Sequence, residues 1–327
     1  MDVLSDVVSA ARTGRPHSGR VTRSAPFAER FAPVPSAGFH IVLQGTCWLL
    51  PSQGEPIALG PGDVAFLPRG SAHGLADDPT TPVSEPPSTL TEVHEGGGEA
   101  AAGRPPTVIM LCGAYLLDGS GPHPLLNDLP EVIHLPTRVG RHRELRAAVE
   151  LLGVELEGDA SPGSDTVLLT LLDLLLLYIL RAWFEEQRVS GHSATGWAAA
   201  LHDPAVAAAL RAIHANPGRP WTVAELGARA RLSRAAFARR FTQLVGQPPL
   251  TYLTWWRMTT AARLLRTSDV PVNTIAQQVG YSSQYTFTHA FKRQYGLPPG
   301  GYRHHAGSRW HPGPADQADT RTGRVEV

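Results

Sequence analysis

Cysteine, lysine and long apolar runs are what this 327-residue chain has least of. Its two cysteines, Cys47 and Cys112, can build neither a disulfide framework nor a zinc site of the usual spacing, so a reducing cytoplasm is the expected location. The strongest apolar run, 167–180, contains Asp173 and is about fourteen residues long, too short to cross a bilayer, and no membrane partner is expected. Residues 1–15 lack the apolar core of a signal peptide. Lys292 is the sole lysine among 29 basic residues, a compositional bias given no functional weight.

What the chain does have is a pattern used twice. Phe237, Phe241, Gly246, Pro248, Pro249 and Tyr252 recur fifty positions later as Phe287, Phe291, Gly296, Pro298, Pro299 and Tyr302. Aromatics at i and i+4 share one helix face, a glycine ends the helix in a left-handed turn, and proline cannot continue it. Shorter amphipathic runs, 223–230 and 272–279, precede the two copies. Each unit therefore reads as helix, turn, helix. Thr222 with Glu225 spells a capping box, flanked by Trp221 and Leu226 at the hydrophobic-staple positions. Ser233 caps the next helix, and Gly280 occupies the second unit's turn, which is one residue longer.

With the phenylalanines inward, Ala235, Arg239 and Thr242 point outward in the first unit, with Ala238 at the edge. In the second, Tyr285, His289 and Lys292 do so, with Thr288 beside them. Such side chains can read base edges or hold phosphates in a major groove. Charge points the same way. Residues 201–305 carry thirteen Arg and Lys against three acids, whereas residues 1–200 carry thirteen against twenty-three, so a formal charge of zero hides a basic module joined to an acidic one.

Residues 203–305 resemble the AraC/XylS-type DNA-binding domain, with the family signature running from Gly280 through Tyr281, Ser282, Ser283, Gln284, Phe287, Phe291, Lys292, Arg293, Tyr295, Gly296 and Pro299 to Arg303. The resemblance implies two helix-turn-helix units joined by a long helix (250–267) and entering successive major-groove segments of promoter DNA. It places base reading on Ala235, Ala238 and Arg239 and on Gln284, Tyr285, Thr288 and His289. Arg234, Arg240, Lys292 and Arg293 are read as solvated or phosphate-facing charges.

The N-terminal half is read as a polar leader (1–37), a sensor domain (38–136) containing a mobile loop (78–106), a helical region (137–189) and a short linker; residues 306–327 are read as a disordered tail. Short strands 39–43, 46–50, 56–59, 64–67 and 107–115, punctuated by glycine, suggest a sandwich or barrel. Gly62, Pro68, Gly70 and His73 fit the second cupin motif, and 107–113 and 124–135 are similar to segments of cupin-bearing AraC regulators. The overall class is α+β in two domains: a cupin-like β-barrel followed by an all-α double helix-turn-helix domain.

The first cupin motif lacks its usual ligands, leaving His40 and His73 as candidate effector-pocket residues, with no metal and no cofactor expected. His40 also reads as a satisfied histidine on a solvent face. Cys112 reads either as a small buried residue or as a redox thiol partnered by Cys47. The leucines between 168 and 177 demand burial, against the barrel or a second subunit, and the family resemblance favours a homodimer.

The reading is a regulator that binds promoter DNA and whose N-terminal domain senses a small-molecule or redox effector, with RNA polymerase as a partner if it activates. Two alternatives stand beside it: a constitutive DNA-binding regulator whose barrel only dimerises, and a metal-dependent cupin enzyme.

Overall fold

The computed structural model describes residues 2–82, 106–117, 123–137, 141–157, 161–189 and 196–308. Most of the expected mobile loop, the linker into the basic module and nearly all of the tail lie outside the described residues.

The first finding is that the stretch read as a polar leader is structured. Helix α1 (Val3–Ala11) is capped by Asp2, whose carboxylate accepts from the Ser5 amide, and it buries Val3, Leu4, Val7, Val8, Ala10 and Ala11. Strands β1 (His17–Arg23) and β2 (Ala28–Phe31) follow. The remaining strands are β3 (Ser36–Gly45), β4 (Cys47–Pro51), β5 (Ile57–Leu59), β6 (Val64–Leu67), β7 (His73–Ala76), β8 (Val108–Leu116) and β9 (Ile133–Leu135), with helix α2 (Pro124–Asn127) before the last. The helical region comprises α3 (Arg143–Glu155) and α4 (Ser164–Val189).

Of the expected sandwich or barrel, the strands form two sheets, a five-stranded sheet ordered β1-β8-β3-β6-β9 and a four-stranded sheet ordered β2-β7-β4-β5. Alternation along the strands gives the larger sheet two buried faces. On β3, Phe39 and Ile41 join the helices in one core while Val42 faces the other sheet. On β8, Leu111 and Tyr115 go outward to the helices, and Met110, Cys112 and Ala114 fill the space between the sheets. Both-sided burial explains why these strands read as continuous apolar runs.

Helix α4 covers the larger sheet. The Tyr115 hydroxyl donates to the Leu172 carbonyl at 2.8 Å, and Leu171, Leu172, Leu175, Leu176, Ile179 and Leu180 are buried. The helix has 26 residues and by length and composition alone could cross a bilayer. Its leucines lie in the same core as the sheet, which is the signature of a core helix.

The basic module is helical: α5 (Gly196–His202), α6 (Pro204–Ala215), α7 (Val223–Arg229), α8 (Arg234–Val245), α9 (Pro249–Thr267), α10 (Val272–Gln278), α11 (Gln284–Tyr295) and α12 (Pro299–Ser308). Its caps fall where the sequence places them. Thr222 and Glu225 form the reciprocal capping box, and Gly246 and Gly296 end α8 and α11 at φ +82° and +74°. Phe237 and Phe241 lie in the large core shared with the N-terminal domain, Phe287 and Phe291 in a separate one.

Candidate nucleic-acid interface and the domain behind it

Helices α8 and α11 are each the second helix of a helix-turn-helix unit, and burial divides each cleanly. Phe237, Phe241, Phe287 and Phe291 are fully enclosed. Opposite them Ala235 and Arg239 are exposed and Ala238 is half-buried; on α11, Gln284, Tyr285 and His289 are exposed and Thr288 is half-buried. Tyr285 is 75% exposed, unusual for a large aromatic ring, and its edge meets His289 at 4.5 Å between centroids. Arg234, Lys292 and Arg293 are exposed beside these faces.

Arg240, read as a solvated or phosphate-facing charge, is also paired within the fold. It sits on the side of α8 facing α6, and its Nε donates to Asp203 Oδ2 at 2.6 Å while Nη2 donates to the same oxygen. Asp203 also caps α6 by accepting from the Ala205 and Val206 amides. Burial opposes ionisation of Asp203, yet the Arg240 guanidinium and these amides hold its pKa below the usual carboxylate value. Arg240 thus ties α8 to α6. A basic cluster absent from the sequence-based expectations surrounds Trp221, where Arg219 before α7 and Arg229 at its end lie over the ring at 4.2 and 5.0 Å. The spacing of two arginines around one tryptophan was the available signal.

In the N-terminal domain the structure brings His40, His73 and Cys112 together. The β3–β8 register sets His40 opposite Cys112, and His73 reaches across from the other sheet. His73 Nδ1–H donates to the Ser71 carbonyl at 2.8 Å, so its Nε2 accepts from His40 Nε2–H at 2.8 Å. His40 Nδ1 is then left to accept from the Cys112 thiol at 3.1 Å. Phe31 stacks on His73 at 4.9 Å. His40 is wholly buried, which excludes the solvent-face reading. These groups satisfy one another inside a packed interior, where burial lowers the His73 pKa.

Neither thiol has the environment of a reactive one. Burial, then the charge of Asp63, pushes Cys47 up to about 12, and burial raises Cys112 as well. Cys47 and Cys112 form no disulfide, and Cys47 Sγ instead approaches Met110 Sδ at 3.7 Å. Among the described residues no group of three or more His, Cys, Asp or Glu is placed to hold a metal ion. A cavity of about 400 Å³ lies outside the sheets, between α1, α4, α5 and α6, with Phe184 and Leu201 as its apolar wall and Arg181 and Arg211 at its edge.

A cupin family model matches residues 2–185, and a helix-turn-helix domain family model matches residues 226–305. The chain is 35% identical over 307 residues to a putative AraC-like transcription regulator of Streptomyces lividans, covering 93% of this chain and 99% of that protein. The chain belongs to the AraC-type transcription regulators. It is a cupin-bearing member and a DNA-binding protein, and its leader-like first helix lies within the cupin match. The HTH-type transcriptional regulator AlkR of Acinetobacter baylyi is 32% identical over 270 residues, 81% of this chain and 86% of that one. Among solved structures, the DNA-binding domain of AdpA in complex with a target DNA is 37% identical, covering 32% of this chain and 92% of that one at a TM-score of 0.30. The relatives compared are transcription regulators.

Proposed function

We propose that this AraC-type regulator reads a promoter with two half-sites through α8 and α11, and that its N-terminal domain adjusts that binding in response to an effector. The observation that carries the reading is the pair of recognition helices, each with its phenylalanines enclosed and a polar face open to solvent. Arg239 is the chief polar reader of the first unit, with Ala235 and Ala238 offering methyl contacts to thymine. Gln284, Tyr285, Thr288 and His289 read in the second, and Arg234, Lys292 and Arg293 hold phosphates.

The effector reading favours a small molecule at the seam between domains over the packed space between the sheets. The roughly 400 Å³ cavity is of ligand size and touches Asp2, Val3 and Leu4 at the start of α1. A homodimer is supported by the exposed face of α3 and α4, where Leu151, Val154, Val167 and Leu174 stand in water. RNA polymerase is a further partner if the protein activates, and the cytoplasm is the compartment where such contacts occur.

The test is selection of genomic DNA fragments by the full chain across a range of salt concentrations, followed by sequencing. Recovery of a motif with two half-sites about one helical turn apart is the expected result. Uniform, salt-sensitive binding without a motif would sink the specific-regulator reading.

A further inference from the structure

A chain of polar groups is buried at the seam between the two domains. Asp6 on α1 and His123 at the start of α2 come from the N-terminal domain; His214 on α6 and Tyr252 on α9 come from the DNA-binding module. One backbone amide orders the whole chain. The Leu125 N–H donates to His123 Nδ1 at 2.9 Å, so the proton of the neutral ring sits on Nε2. That Nε2–H donates to the Tyr252 hydroxyl oxygen at 3.1 Å. The hydroxyl donates onward to His214 Nε2 at 2.6 Å, and the remaining His214 Nδ1–H donates to Asp6 Oδ2 at 3.3 Å.

Aromatic rings enclose the chain. Trp256 stacks on His214 at 3.8 Å and 7°, and Trp197 and Trp255 meet His123 edge-on at 4.7 and 4.8 Å. Burial lowers the pKa of both histidines, in agreement with neutral rings. Polar groups this deep are costly unless paired, and here two of the pairings, His123 with Tyr252 and His214 with Asp6, cross between the domains. A seam of this kind has two discrete conditions, engaged or separated, because a partial opening strands buried donors and acceptors.

The position of the chain gives it a consequence for DNA. The His214–Tyr252 bond joins α6, which packs on α7 and α8, to α9, the spacer that leads to α10 and α11. It therefore crosses the joint that sets one recognition unit against the other. The spacer is held a second time near its far end, where Arg266 Nη2 donates to the Ala10 and Arg12 carbonyls of the α1 terminus at 3.0 and 3.2 Å. Tyr252 and Arg266 lie roughly 21 Å apart along the helix.

We infer that Asp6, His123, His214 and Tyr252 form a clamp through which the N-terminal domain fixes the mutual position of the two recognition units, an inference that rests on the proposed reading of two half-sites. These are positioning residues that touch no DNA themselves. The clamp gives the N-terminal domain a route to DNA affinity: whatever shifts α1 or α2 loosens the joint between the units.

The experiment compares the full wild-type chain with Asp6→Asn and His123→Asn, since asparagine still caps α2 but is too short to reach Tyr252. Each binds the paired-site fragment recovered by genomic selection and the same fragment with one half-site scrambled. Affinity for the paired site should fall about five- to twentyfold and affinity for the single half-site by less than about twofold, with cooperative melting retained. Tyr252→Phe keeps the ring and should show the same split, and adding Asp6→Asn to it should cost nothing more, as for members of one network. Equal losses on both fragments would reduce the chain to a stabilising network and overturn the clamp, as would wild-type affinity in the variants. A wild-type chain that selects no paired site overturns the proposed function and the clamp together, an outcome distinct from either of those.

Discussion

The two helix-turn-helix units share a sequence pattern and differ in what they rest on. The first, α7 and α8, belongs to a core that runs without a break into α1, α4 and the larger sheet. The second, α10 and α11, has a core of its own built from Met258, Leu265, Ile275, Phe287, Phe291 and Tyr295. One unit is thus an extension of the N-terminal domain, and the other hangs from it through α9. Repetition in sequence has not produced equivalence in mechanics: a change in the N-terminal domain reaches α8 by packing within one core, and α11 along the spacer and through the close approach of Gly218 to Gly280.

Acid should separate the two units most strongly. His73, His123 and His214 are each held neutral by burial, so the folded state binds protons less readily than the unfolded one, whose histidines titrate near 6.5. Stability is complete above that value and is lost as pH falls below it, by up to about 1.4 kcal/mol per pH unit for each histidine. The groups facing His214 and His123 include Asp6, Tyr252 and each other, and all belong to the first unit's side. Hydrogen exchange between pH 7 and 5 should therefore show protection falling in α1, α6 and α8 before α11. Simultaneous loss in both units would break the comparison.

The turns come next. Gly280 stands at φ +84°, and a Cβ there would lie 2.6 Å from the Gly218 carbonyl oxygen. Gly280→Ala should cost more than about 2 kcal/mol in denaturant titration. The matching turn of the first unit carries Arg231 at φ +55°, a left-handed non-glycine residue, and Arg231→Gly should stabilise by up to about 1 kcal/mol.

Base reading is expected to be uneven. Arg239→Ala and His289→Ala should each cost about 1 to 3 kcal/mol at the selected site and relax preference at one base pair. A loss spread evenly over all sequences would reassign that residue to phosphate. The smallest difference is in the caps. The Ser233 hydroxyl accepts from the Ala236 amide at 3.3 Å, whereas Ser283 makes no side-chain cap bond. Ser233→Ala should cost about 1 kcal/mol and Ser283→Ala less than about 0.5, read from thermal midpoints.

The basic module was legible because its signals are local. A capping box spans four residues, a Phe pair spans one turn, and a glycine at a helix end needs no distant partner. The N-terminal domain was legible only in part. Strand β1 is polar in sequence and exists by pairing with β8 across some ninety residues, and β5, β7 and β9 are three or four residues long. Helix α1 carried a readable stripe of Val3, Leu4, Val7, Val8 and Ala11 behind Asp2, but its burial depends on helices two hundred residues away. Arg240 shows the same limit. Helical phase puts it near the outer face of α8, and its pairing with Asp203, 37 positions away, is invisible in the local pattern.

The first helix has a further consequence in the order of assembly. Its partners include a histidine 208 positions along the chain and an arginine 256 positions along. On the ribosome α1 is made well before α6 and α9, which cover it together with α4. Contacts of such sequence separation are slow to form because the closing loop must lose its freedom before anything is gained. Part of the apolar face of α1 thus stays uncovered until the DNA-binding module folds against it.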